Sequence, residues 1–317
     1  MKRSAKLQPS GFDLQLANEH AEQQASEAPQ HEMRLEPNLD DMSLDAPADA
    51  FRRQVPALKK KPDAVVTILA GMRQHAMKHP AVATAACKAL FQLSSIDDNN
   101  DSKIACAGGC KIILEAMRAH KTVVDVQEQG CRALKNLAAT DEAKKSISHE
   151  GGIQVILDAM RHHTQQQHIT EHACQALINL VADNYDNKRV MADQGGIRLL
   201  LQTMAAHRQR AEIQHYACRL LLSLTYNNPD LKHKVVAEQG IEEILDTMQA
   251  HESHVGVQEM ACGALDNIAW SDQLLRKRVK DAGAVRVVES AMGAHFAGST
   301  EVCKIYGQHL LSNLESV

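Results

Sequence analysis

Apolar residues recur along most of this chain in series at offsets 0, 3, 4 and 7, as in Ile153, Ile156, Leu157 and Met160, or Ile197, Leu200, Leu201 and Met204. That spacing lays each series on one face of a helix. Each opens after glycine, at Gly151-Gly152, Gly195-Gly196, Gly240 and Gly283, where a residue that tolerates positive φ ends the preceding helix and turns the chain. After a polar turn the pattern predicts a longer helix, over residues 126–138 and again over 169–182, with small residues such as Cys131 and Ala133 suited to close helix approach. A short amphipathic helix comes next (186–194, 230–239, 274–281). It starts after turn-forming or capping residues such as Asn184, Asn228 and Pro229 and runs into the next glycine.

These elements repeat. A Met-x-x-His tetrad closes the series six times, at Met72/His75, Met117/His120, Met160/His163, Met204/His207, Met248/His251 and Met292/His295, with steps of 43 to 45 residues. One three-helix unit cannot cover its own apolar face, whereas a stack of six builds a continuous core from nearest-neighbour contacts. The expected architecture is therefore all-α, a right-handed α-solenoid of about six three-helix repeats. The last unit carries an insertion at Ala297-Gly298-Ser299-Thr300 and ends without a following short helix, as a terminal cap would. Residues 51–63, with Phe51, Val55, Leu58 and the run Lys59-Lys60-Lys61, suit a partial entry helix.

Residues 1–50 show no sustained period and are rich in Gln, Glu, Asp, Ala and Pro. They lack the apolar surface to offset chain entropy and read as a disordered acidic segment ahead of a repeat domain over residues 51–317. The segment holds 4 basic and 10 acidic residues, a charge of −6 within a total of −4, so the repeat domain carries +2. That balance argues against dominant attraction to nucleic acid or anionic lipid. The basic start lacks the apolar stretch of a secretory signal, and the longest apolar run, Ala64 to Met72, is far short of the ~20 residues that span a bilayer. A soluble protein of the cytoplasm, with nuclear access open, is the expectation.

Five of the eight cysteines, Cys87, Cys131, Cys174, Cys218 and Cys262, fall at one position of the repeat. At the ~8–10 Å spacing of packed helices they stand too far apart to bridge one another, so they read as buried thiols in a reducing compartment.

The period, the glycine between a short first helix and a second, and a third helix ending Ala-Leu-x-Asn-Leu together resemble the armadillo family over roughly residues 60–317. The pattern stands at Ala133-Leu134-Lys135-Asn136-Leu137, Ala176-Leu177-Ile178-Asn179-Leu180 and Ala264-Leu265-Asp266-Asn267-Ile268, with looser forms at Ala89 to Leu93, Leu220 to Leu224 and Leu310 to Leu314. HEAT repeats share the period but have two helices, and the recurrent Gly-Gly or Gln-Gly step favours the armadillo form.

The resemblance implies that the third helices line a concave groove in which the recurring Asn meets an extended peptide of another protein. Here that ladder is Gln92, Asn136, Asn179, Ser223, Asn267 and Asn313. A side-chain amide offers both a donor and an acceptor to a partner's backbone. A repeat rise of ~8–10 Å against ~3.3 Å per extended residue matches one amide to two or three peptide residues. The plainer alternative is that Asn orders the end of its own helix.

One turn earlier stand Lys88, Arg132, Gln175, Arg219, Gly263 and His309. Import adaptors of the family carry Trp there and a basic N-terminal arm; this chain has neither, which argues against binding of import signals. Lys88, Arg132 and Arg219 suggest a mildly basic strip, or merely solvated cations. Tyr226 and Trp270, three residues past the ladder position, offer an aromatic edge, or in the case of Trp270 packing against a neighbouring turn. The acidic residues 1–50 are a candidate intramolecular occupant of that strip.

Seventeen histidines raise a metal or redox alternative. Equivalent histidines ~8–10 Å apart cannot close a four-ligand site whose bonds are ~2 Å long. The tetrad reads instead as a core Met with a His in the last turn of its helix, meeting carbonyls left unpaired there. No phosphate-cradling loop, nucleophile elbow or Cys-x-x-Cys motif appears. A non-catalytic interaction scaffold or adaptor, needing no cofactor and no metal, is the expected function.

Overall fold

The computed structural model describes residues 63–97, 99–294 and 301–316, together with 50, 53, 54, 57 and 61. All of the acidic segment 1–50 but its last residue, nearly all of the entry segment, His295 and the insertion at 297–300 fall outside the described residues.

The first unit comprises α1 (Ala64–Gly71), prolonged by a π-type turn over Met72–Ala76, and α2 (Pro80–Ser94). Five three-helix units follow. They are α3 (Asn99–Cys106), α4 (Gly109–Ala119) and α5 (Val124–Leu137); then α6 (Asp141–His149), α7 (Gly152–His162) and α8 (Gln167–Val181). Next come α9 (Tyr185–Asp193), α10 (Gly196–Ala206) and α11 (Ala211–Thr225), and α12 (Pro229–Ala237), α13 (Gly240–Ala250) and α14 (Val255–Ala269). The last are α15 (Gln273–Asp281), α16 (Ala284–Ala294) and α17 (Glu301–Glu315). Counted from its short helix, the sixth unit is complete. Among the described residues it is the first that lacks a short helix.

The helix starts follow from their caps. Asn184 accepts from the Asn187 amide at 3.0 Å, Asn228 from Leu231 at 3.2 Å, and Asp272 from Leu274 and Leu275 at 2.9 and 3.0 Å, which satisfies otherwise unpaired N–H groups.

The ladder helices α2, α5, α8, α11, α14 and α17 make the most extensive contacts in the molecule with one another, whereas successive middle helices touch far less. Close packing along one wall and looser packing along the other curve the stack toward the ladder helices. Small residues permit the approach: Ala86 and Cys87, Cys131 and Ala133, Cys174 and Ala176, Ala217 and Cys218, and Ala261 and Cys262 are all fully buried.

Between short and middle helices one residue adopts left-handed backbone: Gly108, Gly151, Gly195, Gln239 and Gly283, at φ of 78°, 67°, 72°, 64° and 86°. The fourth case corrects the sequence reading, which gave this role to Gly240. Gly240 is instead the first helical residue, and a Cβ there would stand 2.4 Å from Val235 Cγ1. Glycine is needed at 240 for space and at 239 for conformation, yet 239 is glutamine.

The Met-x-x-His tetrads join the repeats. The four Met residues Met117, Met160, Met204 and Met248 are buried, and the histidine is the residue that ends each middle helix. Its imidazole Nε2 reaches a backbone carbonyl of the preceding repeat: His120 to Ala76 at 2.7 Å, His163 to Lys121 at 2.8 Å, His207 to Thr164 at 2.7 Å and His251 to Arg208 at 2.7 Å. Each acceptor lies one residue past the preceding tetrad. The expectation that histidine meets carbonyls of its own helix is therefore corrected. Those carbonyls are capped by glutamine from the ladder helix: Gln127 Nε2 donates to Met117 and His120, Gln214 to Met204 and His207, and Gln258 to Met248 and His251, all at 2.7–3.0 Å.

The first unit has one residue more than the others between its tetrad and its ladder cysteine. It is taken up at the end of the middle helix, where the coil widens over Met72–Ala76.

Two outcomes follow for stability. Replacing Gln239 by glycine removes the left-handed strain and should raise the urea midpoint by the equivalent of about 1 kcal/mol, while Gln239→Ala should not. Gln214→Ala uncaps two buried carbonyls and should cost about 2 kcal/mol, against near zero for the exposed Gln165→Ala.

Candidate functional site

The ladder residues lie near the C-terminal ends of the ladder helices, one per repeat, and Gln92, Asn136, Asn179, Asn267 and Asn313 are half-buried. The side-chain NH2 groups of Asn136, Asn179, Asn267 and Asn313 each tie a repeat to the one before. Asn179 Nδ2 donates to Lys135 O at 2.9 Å and Asn267 Nδ2 to Leu222 O at 3.0 Å, both acceptors being the residue just before the preceding ladder position. Asn136 reaches Ser95 Oγ at 3.2 Å, and Asn313 reaches the Asp266 carboxylate at 3.0 Å. The amide was read from sequence as ordering its own helix or meeting a partner. The structure gives its donor to the neighbouring repeat.

Ser223 differs. It is buried, and its hydroxyl donates to Arg219 O at 3.0 Å within its own helix. The candidate row is thus two segments, Gln92–Asn136–Asn179 and Asn267–Asn313, separated at the fourth repeat.

The position one turn earlier is cross-linked in a similar way. Lys88 is exposed. Arg132 lies half-buried with its guanidinium 4.0 Å from the Phe91 ring centroid, a cation–π contact with the preceding repeat. Gln175 accepts from Lys135 Nζ at 2.7 Å. Arg219 is half-buried beside Tyr216, and burial pulls its pKa down. Arg132 and Gln175 are therefore spent partly on the stack. Gly263 lies against Tyr306, and His309 Nδ1 stands 2.6 Å from the Asp266 carboxylate.

Tyr226 and Trp270 end α11 and α14 in extended backbone and are followed by Asn227 and Ser271 in left-handed conformation. Buried lysines of the short helices hold their carbonyls: Lys188 Nζ donates to Tyr226 O and Lys232 Nζ to Trp270 O, each at 3.0 Å. Lys188 Nζ also lies 5.7 Å from the Tyr226 ring centroid. Trp270 stacks on His309 at 4.7 Å, so it packs on the next ladder helix rather than on a turn.

Sequence reading missed Lys135, His172, Glu259 and Asp266. The signal for Lys135 and Asp266 was available: each immediately precedes a ladder Asn. His172 and Glu259, seven and eight residues before one, carry the strained chemistry of this wall. Burial first, then the charges of Lys135, Arg132 and His168, push the His172 pKa down to about 3, and its Nδ1 is buried without a hydrogen-bond partner. Burial pushes the Glu259 carboxyl up to about 7, with Oε1 likewise unpartnered. Among the described residues no group of three or more His, Cys, Asp or Glu side chains could hold a metal ion, and no helix is long and apolar enough to cross a membrane.

A family model described as LRRK2 ARM repeat matches residues 96–292, from the turn before α3 into α16. The chain belongs to the LRRK2 ARM repeat family. Its armadillo architecture is shared with solved structures that include an engineered protein at TM-score 0.72 and 23% identity, covering 87% of this chain and 66% of that one. A designed armadillo repeat protein in complex with the peptide (KR)4 aligns at TM-score 0.64 and 15% identity, over 83% of this chain and 99% of that one. A structure addressing the interaction between cadherin and β-catenin aligns at TM-score 0.64 and 16% identity, over 85% and 56%. At such identities the likeness is one of fold. No curated protein matches the sequence.

Glu259 offers a check on the electrostatics of the armadillo wall. Its folded pKa lies above the ordinary value of 4.5, so the stability it contributes is present below that value and is lost as pH rises through about 7. Glu259→Gln should therefore be more stable than the native chain by about 1–2 kcal/mol at pH 8, after discounting for partial exposure, and equal to it near pH 4.5. Urea titrations at the two pH values read the difference.

Proposed function

We propose that the protein is a non-catalytic interaction scaffold whose ladder-helix wall binds an extended segment of another protein. One observation carries this reading. A half-buried carboxamide recurs at the same place on successive ladder helices, and its NH2 donates to the preceding repeat. The amide oxygen is then the group that suits a partner's backbone N–H, presented at a fixed orientation because the other half of the amide is anchored.

Lys88, Arg132 and Arg219 give the first four repeats a basic character suited to acidic or carbonyl-rich partners, with Gln92, Asn136, Gln175 and Asn179 as the polar row. Asn267, Tyr226 and Trp270 supply a second contact region with an aromatic edge. Ser223, buried and bonded to its own helix, drops out of the contact set. The designed armadillo repeat protein in complex with the peptide (KR)4 supports peptide binding by a stack of this architecture. Eight free thiols suit a reducing compartment such as the cytoplasm.

The test is selection from a random linear peptide library on the native chain, followed by affinity measurement on Asn136→Ala/Asn179→Ala/Asn267→Ala. The selected peptides should bind the triple variant at least tenfold more weakly, while its helical circular dichroism is retained. Unchanged affinity for every selected peptide would sink the groove reading.

A further inference from the structure

The position ten residues before the ladder residue is aliphatic and fully buried in five units, as Val82, Val126, Ile169, Ile213 and Val257. In the sixth it is Cys303, 1% exposed. The column of ladder cysteines has also changed there: after Cys262 the next member is Gln308. The last unit has in effect moved its cysteine from the face that looks onward to the face that looks back. There its thiol neighbours that of Cys262, close enough for each to shift the other's pKa. At the other interfaces an aliphatic side chain stands where Cys303 does.

The helices are close at this point. Gly263, beside Cys262, has no Cβ, and one built there would lie 3.2 Å from Tyr306 Cε2, one turn beyond Cys303. A side chain of the size found at this position in the first four units would hold α17 away.

We propose that Cys262 and Cys303 are a site of oxidative modification, closing to an intramolecular disulfide when the protein meets a peroxide and so cross-linking the last two repeats. Neighbouring thiols on two tightly packed helices can reach the ~2.05 Å of an S–S bond by local adjustment. Cys303 attacks the peroxide and Cys262 resolves the product; exchanging the two roles gives the same disulfide.

The Cys303 thiolate attacks one peroxide oxygen, the O–O bond breaks, and the departing hydroxide takes a proton to leave as water, giving a sulfenic acid. The Cys262 sulfur, losing its proton, attacks the Cys303 sulfur and expels hydroxide, which leaves as a second water. Two thiols and one hydrogen peroxide become one disulfide and two waters, a two-electron oxidation. Access comes from local opening. Separation of α17 from α14 at their shared repeat interface exposes both thiols.

The experiment exposes the full native chain to hydrogen peroxide, alkylates remaining thiols, and digests with trypsin without reduction. The peptides spanning 235–276 and 287–304 should be recovered joined, and separated by dithiothreitol. Peroxide should raise the melting temperature of the native chain by several degrees. It should leave unmoved that of Cys303→Val, a variant that restores the aliphatic residue of the other repeats and so keeps the fold. The proposal is overturned if both cysteines are recovered alkylated under conditions that oxidise the exposed Cys106, or if they join only when peroxide is added in denaturant.

Discussion

The stack depends on how the last carbonyls of its middle helices are satisfied. A helix end leaves unpaired acceptors, and here those ends lie inside the repeat interface, where an unmet carbonyl costs about 1–3 kcal/mol. Glutamine from the same repeat caps two of them, and histidine from the following repeat takes a carbonyl one residue further on. The hydrogen bond that finishes one unit can be made only when the next is in place. Arginine works in the opposite direction. Arg73 donates to Ala107 O at 2.6 Å, and Arg118 and Arg161 donate to Glu150 and Gln194, the residues just before the left-handed glycines of the next repeats. Where that arginine is replaced by Ala205, Arg198 binds the side chain of Glu238, the corresponding residue, at 2.8–2.9 Å.

The wall that would meet a partner is made of the same kind of bond. Asn179 and Asn267 hold the preceding ladder helix with one half of the amide and present the other. Arg132 on Phe91 and Lys135 on Gln175 likewise bridge repeats. A ligand on this surface would act on groups that already set the spacing between repeats, so binding and the pitch of the stack are physically coupled.

The fold was legible because its signals are local. Apolar offsets, the Asn184 and Asn228 caps and the tetrad period each lie within a few residues, and the observed helix bounds fall within two residues of the expected ones. What escaped were relations across a full repeat. The tetrad histidine was visible six times, but its acceptor lies 42 to 44 residues away. Ser223 looked like a weak ladder member until its hydroxyl was seen to turn back on its own helix. Gln239 escaped because composition points to the neighbouring glycine for positive φ. Cys303 escaped because attention to one recurring column hides a residue that departs from it.

The π-type turn in the first unit bears on how such a chain can change length. One extra residue there is accommodated by a local widening of the helix, and the Ala76 carbonyl still meets His120 at 2.7 Å. The quantity held constant from unit to unit is the position of an acceptor in space rather than a number of residues. Insertions and deletions at the ends of middle helices are therefore the ones this architecture absorbs most readily, and grafts between repeat arrays should be joined there.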